Sequence, residues 1–477
     1  MKSLQYKIKV AILISILFVS CQKKDEFLSQ KPTSNLNIPD NLVSLQAILD
    51  SDDPVNGVMF ESPDLDIVSA DEYDLSFSAW QAISINPKEY NGYIWASDIY
   101  KGATKIIDWD DPYQQIFYSN VALEGLEGIA KTGNNSQQWN NVKGSAHFMR
   151  ANALFNLSQV FIPPYDSNTS KTDLGLPIRL SSDINIIDKR SSVQATYDQI
   201  ISDLKISVLY LPSDVTLNNP GRPSKAAAYG LLAKTFLNMH DYTDARKYAD
   251  SCLKIHGTLL DYNQYPNPVT PNLTIPFSNT NAEILYQNGV SNQASILFEL
   301  LLSDRFGDQG YTVDTALYSL YSSNDLRKTF FFRYNGPDQI NLRPGYTANT
   351  STFKGIATDE IYLIRAEASA RTGSISDAMA DLNTLLKNRY NSSTFMASTA
   401  SSPEDALNQI LVERRKELIF RGTRWSDLRR LNKEGYNITI NRMLNGKKYT
   451  LSPNSPLYVL PIPPDEIALS GIQQNPR

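Results

Sequence analysis

Eight residues between positions 229 and 252 constrain this chain more than any other stretch: Tyr229, Leu232, Ala233, Phe236, Tyr242, Ala245, Ala249 and Cys252. Their spacing puts small side chains where two antiparallel helices touch and larger ones in between. A shift of 133 residues finds the same places filled by Tyr362, Arg365, Ala366, Ser369, Ile375, Ala378, Leu382 and Leu385. The turns His240-Asp241 and Thr372-Gly373 are short, so each pair must fold back on itself. His147, Arg150, Ala151 and Leu154 fit the first helix of a further copy, and Thr196 to Leu211 would be its partner after a long insertion.

These spacings match the tetratricopeptide pattern. Repeats separated by insertions predict a mostly α fold, a tetratricopeptide-like α-solenoid scaffold with irregular, loop-rich inserted lobes. Helix-pair repeats are expected near 142–260 and 359–430. Apolar residues recur with helical period over Gln114 to Ile129, Val142 to Phe161, Thr196 to Leu211 and Ser224 to Ile255. They do so again over Asp359 to Thr372, Ile375 to Arg389 and Pro403 to Phe420. Between 262 and 350 the pattern dissolves into Asn, Pro, Thr, Gly and aromatics, a loop-rich middle. The tail around Pro461-Ile462-Pro463-Pro464 cannot be helical and is expected to lie extended on the surface. With 477 residues, 42% of them hydrophobic, there is ample material for one large buried core.

The first twenty residues read as a secretory signal, with Lys2, Lys7 and Lys9 before an apolar run from Val10 to Val19. Ten residues span about 15 Å as a helix, too short to cross a membrane. Leu17-Phe18-Val19-Ser20-Cys21 resembles a bacterial lipobox, with Phe18 where leucine is usual, so Cys21 is the expected lipid anchor. The expected organisation is a signal over 1–20, a tether over 21–40 and a single body over 41–477. A formal charge of −5 offers no field for nucleic acid. Three scattered histidines and two cysteines make no zinc site, no His-dependent triad and no disulfide framework. No metal or cofactor is expected.

The most specific stretch runs from Glu413 to Arg430, with Glu413-Arg414-Arg415-Lys416-Glu417-Leu418 followed by Arg424-Trp425-Ser426-Asp427-Leu428-Arg429-Arg430. It is similar to the signature of the SusD/RagB family of outer-membrane nutrient-binding lipoproteins, with Arg421 where an acidic residue is usual. Gly175-Leu176-Pro177, Gly221-Arg222-Pro223 and Gln474-Asn475-Pro476 fall in the family's order. The resemblance implies a noncatalytic cell-surface protein that captures a glycan and passes it to a SusC-like TonB-dependent transporter. A peptide-binding member and a surface glycan hydrolase are the alternatives, the second needing two carboxylates ~5–10 Å apart. The residues themselves contain no hydrolase motif.

Sugar rings pack on flat aromatic side chains, with polar groups at the rim. The densest aromatic stretch is 71 to 113, ahead of the regular helices, where loops are expected to project. Candidate ligand residues there are Trp80, Tyr73, Tyr90, Tyr93 and Trp95, with Trp80 foremost because Ser76, Ser78, Gln81 and Ser84 surround it. Arg305, Phe306 and Tyr311 are candidates in the middle. Glu413, Arg414, Glu417 and Arg424 are spaced for ion pairs within and between helices, a structural use.

Overall fold

Helix start signals in the sequence become observed caps. Ser192, Ser224 and Asp241 accept the amides of Ala195, Ala227 and Asp244, and Ser402 accepts Asp405 N ahead of Pro403. Each satisfies a backbone donor that the first turn leaves without a partner. The computed structural model describes residues 39–51, 58–103, 105–213, 215, 219–265, 277–278, 280–290, 310–334, 339–343, 346–347 and 352–477. Met1–Asp40 is one unit, nearly all of it outside those residues, and Asn41–Arg477 is a second, compact unit.

In chain order the helices are α1 Leu42–Leu49, α2 Leu65–Ser69, α3 Phe77–Ala82, α4 Pro87–Tyr93, α5 Ile107–Glu127, α6 Ser136–Phe161, α7 Val193–Tyr210, α8 Lys225–Asn238 and α9 Tyr242–Ile255. They continue with α10 Thr315–Ser319, α11 Arg327–Phe331, α12 Thr358–Arg371, α13 Ile375–Lys387, α14 Pro403–Glu417, α15 Thr423–Lys433 and α16 Pro464–Ser470. From α5 to α9 each helix packs on the next, and α9 then packs on α12, which holds α13 and α14. This is the expected mostly α, tetratricopeptide-like arrangement. Leu232, Ala233, Ala245, Ala249 and Cys252 are buried in the α8–α9 pair, as are Ala366, Ala378, Leu382 and Leu385 in α12–α13. Helix α5 starts at Ile107 rather than near 114, because it runs through Pro112.

The strands are short and pair only in twos: β1 Glu61–Ser62, β2 Tyr73–Leu75, β3 Leu174–Pro177, β4 Arg190–Ser192, β5 Ile284–Tyr286, β6 Gly289–Val290, β7 Tyr311–Val313, β8 Phe332–Tyr334, β9 Ile340–Leu342, β10 Ile356–Ala357, β11 Ile440–Leu444 and β12 Lys447–Leu451. Two pairings bind the early segment to the middle of the chain. Glu61 lies opposite Gly289 in parallel β1–β6, and Leu75 opposite Tyr311 in antiparallel β2–β7. The tail is extended from Val459 to Pro463 as expected, but Pro464, tolerated in a first turn, opens helix α16, and the extended stretch is buried rather than superficial. Leu460 and Ile462 are 2% and 0% exposed, and Tyr100 donates its hydroxyl to Pro461 O at 2.7 Å. Apolar side chains among those prolines drive the segment inward.

Charged residues fill the centre. Glu417 accepts Arg389 Nε at 2.7 Å and Arg327 Nη1 at 2.9 Å. Arg327 also donates to Glu413 and Asp325, and Arg389 to Glu283. All three side chains of the Arg327–Glu417–Arg389 triad are fully buried. Burial alone would raise the Glu417 carboxyl; the two guanidinium groups instead hold it below its usual range. A second set follows: Arg414 with Asp427, Arg430 with Glu367 and Asp427, Arg421 with Asp359. Gly422, at φ +70, passes between Lys354 and Asp66, where a Cβ would lie 2.5 and 2.7 Å from their side chains. Removing one buried partner strands the others, so Glu417→Gln should lower unfolding free energy by ~3–5 kcal/mol. Lys254→Ala, which breaks the exposed pair with Asp250, should change it by less than ~1 kcal/mol. Urea unfolding of both variants checks the contrast.

Candidate ligand-binding face

The aromatic segment 71–113 folds into short helices rather than projecting loops, because distant groups pull its rings inward. The guanidinium of Arg442, 2% exposed, lies 3.7, 4.7 and 5.3 Å from the ring centres of Tyr93, Trp95 and Tyr73. It also donates to the carbonyls of Val68, Ala70 and Tyr93. Tyr73 donates to Val68 O, Trp95 Nε1 to Ser69 O, and Tyr93 Oη accepts Leu75 N. Tyr73, Tyr93 and Trp95 are thus core residues around a buried cation. Tyr311, on β7, is 4% exposed. Arg305, Phe306 and Cys21 lie outside the described residues.

Trp80 and Tyr90 form the outer edge. Trp80 is 7% exposed, donates Nε1 to Tyr90 O at 2.9 Å, and stacks on the Tyr90 ring at 4.0 Å and 16°. Trp80 therefore buttresses Tyr90 and offers no open face of its own. Tyr90 is half-buried, with Lys101 Nζ 5.9 Å from its ring centre and exposed Ser78, Gln81 and Ser84 on neighbouring α3 and the turn after it. A second aromatic pair went unread in the sequence. Tyr318 and Tyr334 lie 6.2 Å apart at 16°, with Lys328 Nζ 4.7 Å from Tyr318, and Tyr334 is 58% exposed. Their signal was hidden in the loop-rich middle, where strand β8 is too short to show alternation. Both aromatic pairs rest on one apolar cluster containing Ile67, Tyr73, Trp80 and Tyr311. Stacked, partly open rings with cations and hydroxyls beside them can hold a sugar face or an apolar ligand edge.

Asp71 and Glu72 join this lobe to the helices. Burial opposes ionisation of Asp71, but Arg424, at 2.6 and 2.8 Å, and Arg415 hold its carboxyl at about 2. Burial pushes its neighbour Glu72 up to about 8, against the pull of the Phe420 amide at 2.9 Å. No group of His, Cys, Asp or Glu among the described residues is arranged to hold a metal ion.

Residues 26–237 match a family profile described as "Starch-binding associating with outer membrane" (SusD-like_3), and residues 343–477 match the SusD family profile (SusD_RagB). The chain belongs to the SusD/RagB family, whose members are surface-associated binding proteins. A SusD-like protein P2 of Formosa agariphila is 24% identical over 458 residues, covering 84% of this chain and 85% of that one. A SusD superfamily protein of Bacteroides thetaiotaomicron superposes with a TM-score of 0.72 at 22% identity, over 92% of this chain and all of that one. A putative sugar binding protein of Bacteroides vulgatus superposes with a TM-score of 0.68 at 23% identity, over 92% and 98%. Among the described residues no helix is long and apolar enough to cross a membrane.

Trp80→Ala should cost ~3–5 kcal/mol of stability in urea unfolding, as truncation of a buried tryptophan does. Between pH 4.5 and about 8 folded Glu72 keeps a proton that the unfolded chain has released, so its contribution to stability falls as pH rises through that window. Glu72→Gln should shrink the loss of stability between pH 5.5 and 8; an unchanged slope would contradict the buried acid.

Proposed function

We propose that this chain is a noncatalytic surface lipoprotein, anchored through Cys21, that captures a glycan and passes it to a SusC-like TonB-dependent transporter. The observation that carries the ligand assignment is the half-buried Tyr90 ring held flat by Trp80, with Lys101 near it and Ser78 and Ser84 exposed on α3 and just after it. The exposed Tyr318–Tyr334 pair is a second platform of the same chemistry. Tyr73, Tyr93 and Tyr311 lie in the apolar cluster against which Tyr90 and Tyr318 pack, Trp95 packs with Trp425 and Tyr458 instead, and Arg305 and Phe306 stay candidates from the sequence. Family membership supports the binding role, and the names of relatives as sugar binding and carbohydrate binding proteins support the glycan class. The carboxyl pair Asp111 and Glu61 does not fit a glycosidase. Burial and a direct hydrogen bond to Glu61 hold Asp111 protonated, pushed up to about 8, whereas a glycosidase pair stands at least ~5 Å apart.

Screening the purified chain against glycans and peptides should return an oligosaccharide that is bound and not shortened. Tyr90→Ala should then weaken binding roughly 5- to 150-fold, ~1–3 kcal/mol by analogy with base stacking. Peptide binding alone, or a cleaved product, would overturn the assignment. Cys21→Ala should release the protein from outer-membrane fractions, because acyl chains supply the anchor.

A further inference from the structure

The loop between β3 and β4 turns four large aliphatic side chains into solvent: Leu180, Ile184, Ile186 and Ile187 are 52%, 74%, 45% and 62% exposed. It is held without burying them. Asn120 donates to the carbonyls of Arg179 and Ser181 at 3.2 and 3.1 Å. Glu124 accepts Ser181 Oγ at 3.0 Å and Ser182 N at 2.8 Å. Arg179 donates across the loop to the carbonyls of Asp183 and Ile186 at 3.0 and 3.1 Å. A polar frame that displays a cluster of aliphatic side chains marks an interaction surface.

The last turns of α5 bring further groups of the same kind to this end of the helices. Helix α1, the start of the body, packs Leu45 against Gly125, beside Glu124, and leaves Val43 68% exposed. Trp139, at the start of α6, donates Nε1 to Ile129 O, just past the end of α5. Its ring centre lies 5.9 Å from that of Tyr210 at the end of α7, where Leu209 is 75% exposed. Lys143 and Lys131 sit within 6 Å of both rings. Aliphatic tips with Trp, Tyr and Lys around them make up the chemistry of a membrane–water interface.

We infer that this end of the helices, with the 180–187 loop beside the last turns of α5, rests in the lipid surface that holds the acyl chains on Cys21. The inference depends on the lipoprotein reading of Cys21. Its support beyond surface chemistry is chain length: twenty-one residues, Cys21 to Asn41, precede α1, and a flexible chain of that length would reach ~25 Å. With Cys21 acylated, that length limits how far the start of α1 can stand from the lipid, and even weak insertion of the loop is then favoured by effective concentration.

Cys252 is fully buried, so Ile187→Cys in the acylated full chain can carry an environment-sensitive fluorophore such as NBD as its one reactive site. In vesicles of phosphatidylethanolamine and phosphatidylglycerol the emission should shift to the blue and be quenched by nitroxide-bearing lipids. A label at Met443→Cys, 60% exposed on β11, should show neither effect. Adding Ile184→Asp and Ile186→Asp should return the Ile187 label towards its emission in buffer. If the labelled protein floats with the vesicles and its emission stays unchanged, the lipid contact is overturned. A shift seen only when a co-purifying barrel is added would also overturn it, making this end a protein-docking surface. Failure to float, with no acyl group on Cys21 by mass spectrometry, would defeat the lipoprotein reading and this inference together.

Discussion

Two arginines facing one glutamate at the centre of the body hold the rest together. Glu417 sits between Arg327 and Arg389 with none of the three side chains exposed. Charges in such a place are tolerated only when every neighbour is in position, since desolvation outweighs an imperfect pair. The partners come from distant parts of the chain: Glu283 before β5, Asp325 before α11, Glu413 within α14. The loop-rich middle has few long elements, and this network fixes its described part to the helical frame. A purely apolar contact would allow sliding; directed, charge-assisted hydrogen bonds set one register.

From that centre the constraint passes outward to the candidate site. Arg424, seven residues after Glu417 in the same signature, grips Asp71 at both oxygens, and Asp71 opens the aromatic segment. Arg442, from the hairpin that follows, then draws Tyr73, Tyr93 and Trp95 into a layer. Above this layer Trp80 holds Tyr90. The binding face is thus a rigid ledge built on arginines, so a ligand meets rings already in position and little ordering is needed on binding.

Helix pairs were legible in the sequence because small residues at contact points repeat locally, as at Ala233 with Ala249 and Ala366 with Ala378. The ion pairing of Glu413, Arg414, Glu417 and Arg424 was legible for the same reason: one short signature carries both signs of charge. The fate of the aromatics was not. Tyr93 and Trp95 look like projecting platforms until Arg442, more than three hundred residues away, is seen to face them. The burial of Leu460 and Ile462 beneath a proline-rich tail was missed likewise, since proline excludes helix without saying which side faces water. Tyr318 and Tyr334 carried no local pattern, and only the β8–β9 pairing and the packing of α10 bring them together.

The most direct measurement is a crystal structure of the purified chain with an oligosaccharide selected by glycan screening. An intact sugar with a ring face on Tyr90 or on the Tyr318–Tyr334 pair is the expected result. A shortened sugar, or one seated away from both aromatic pairs, would contradict it.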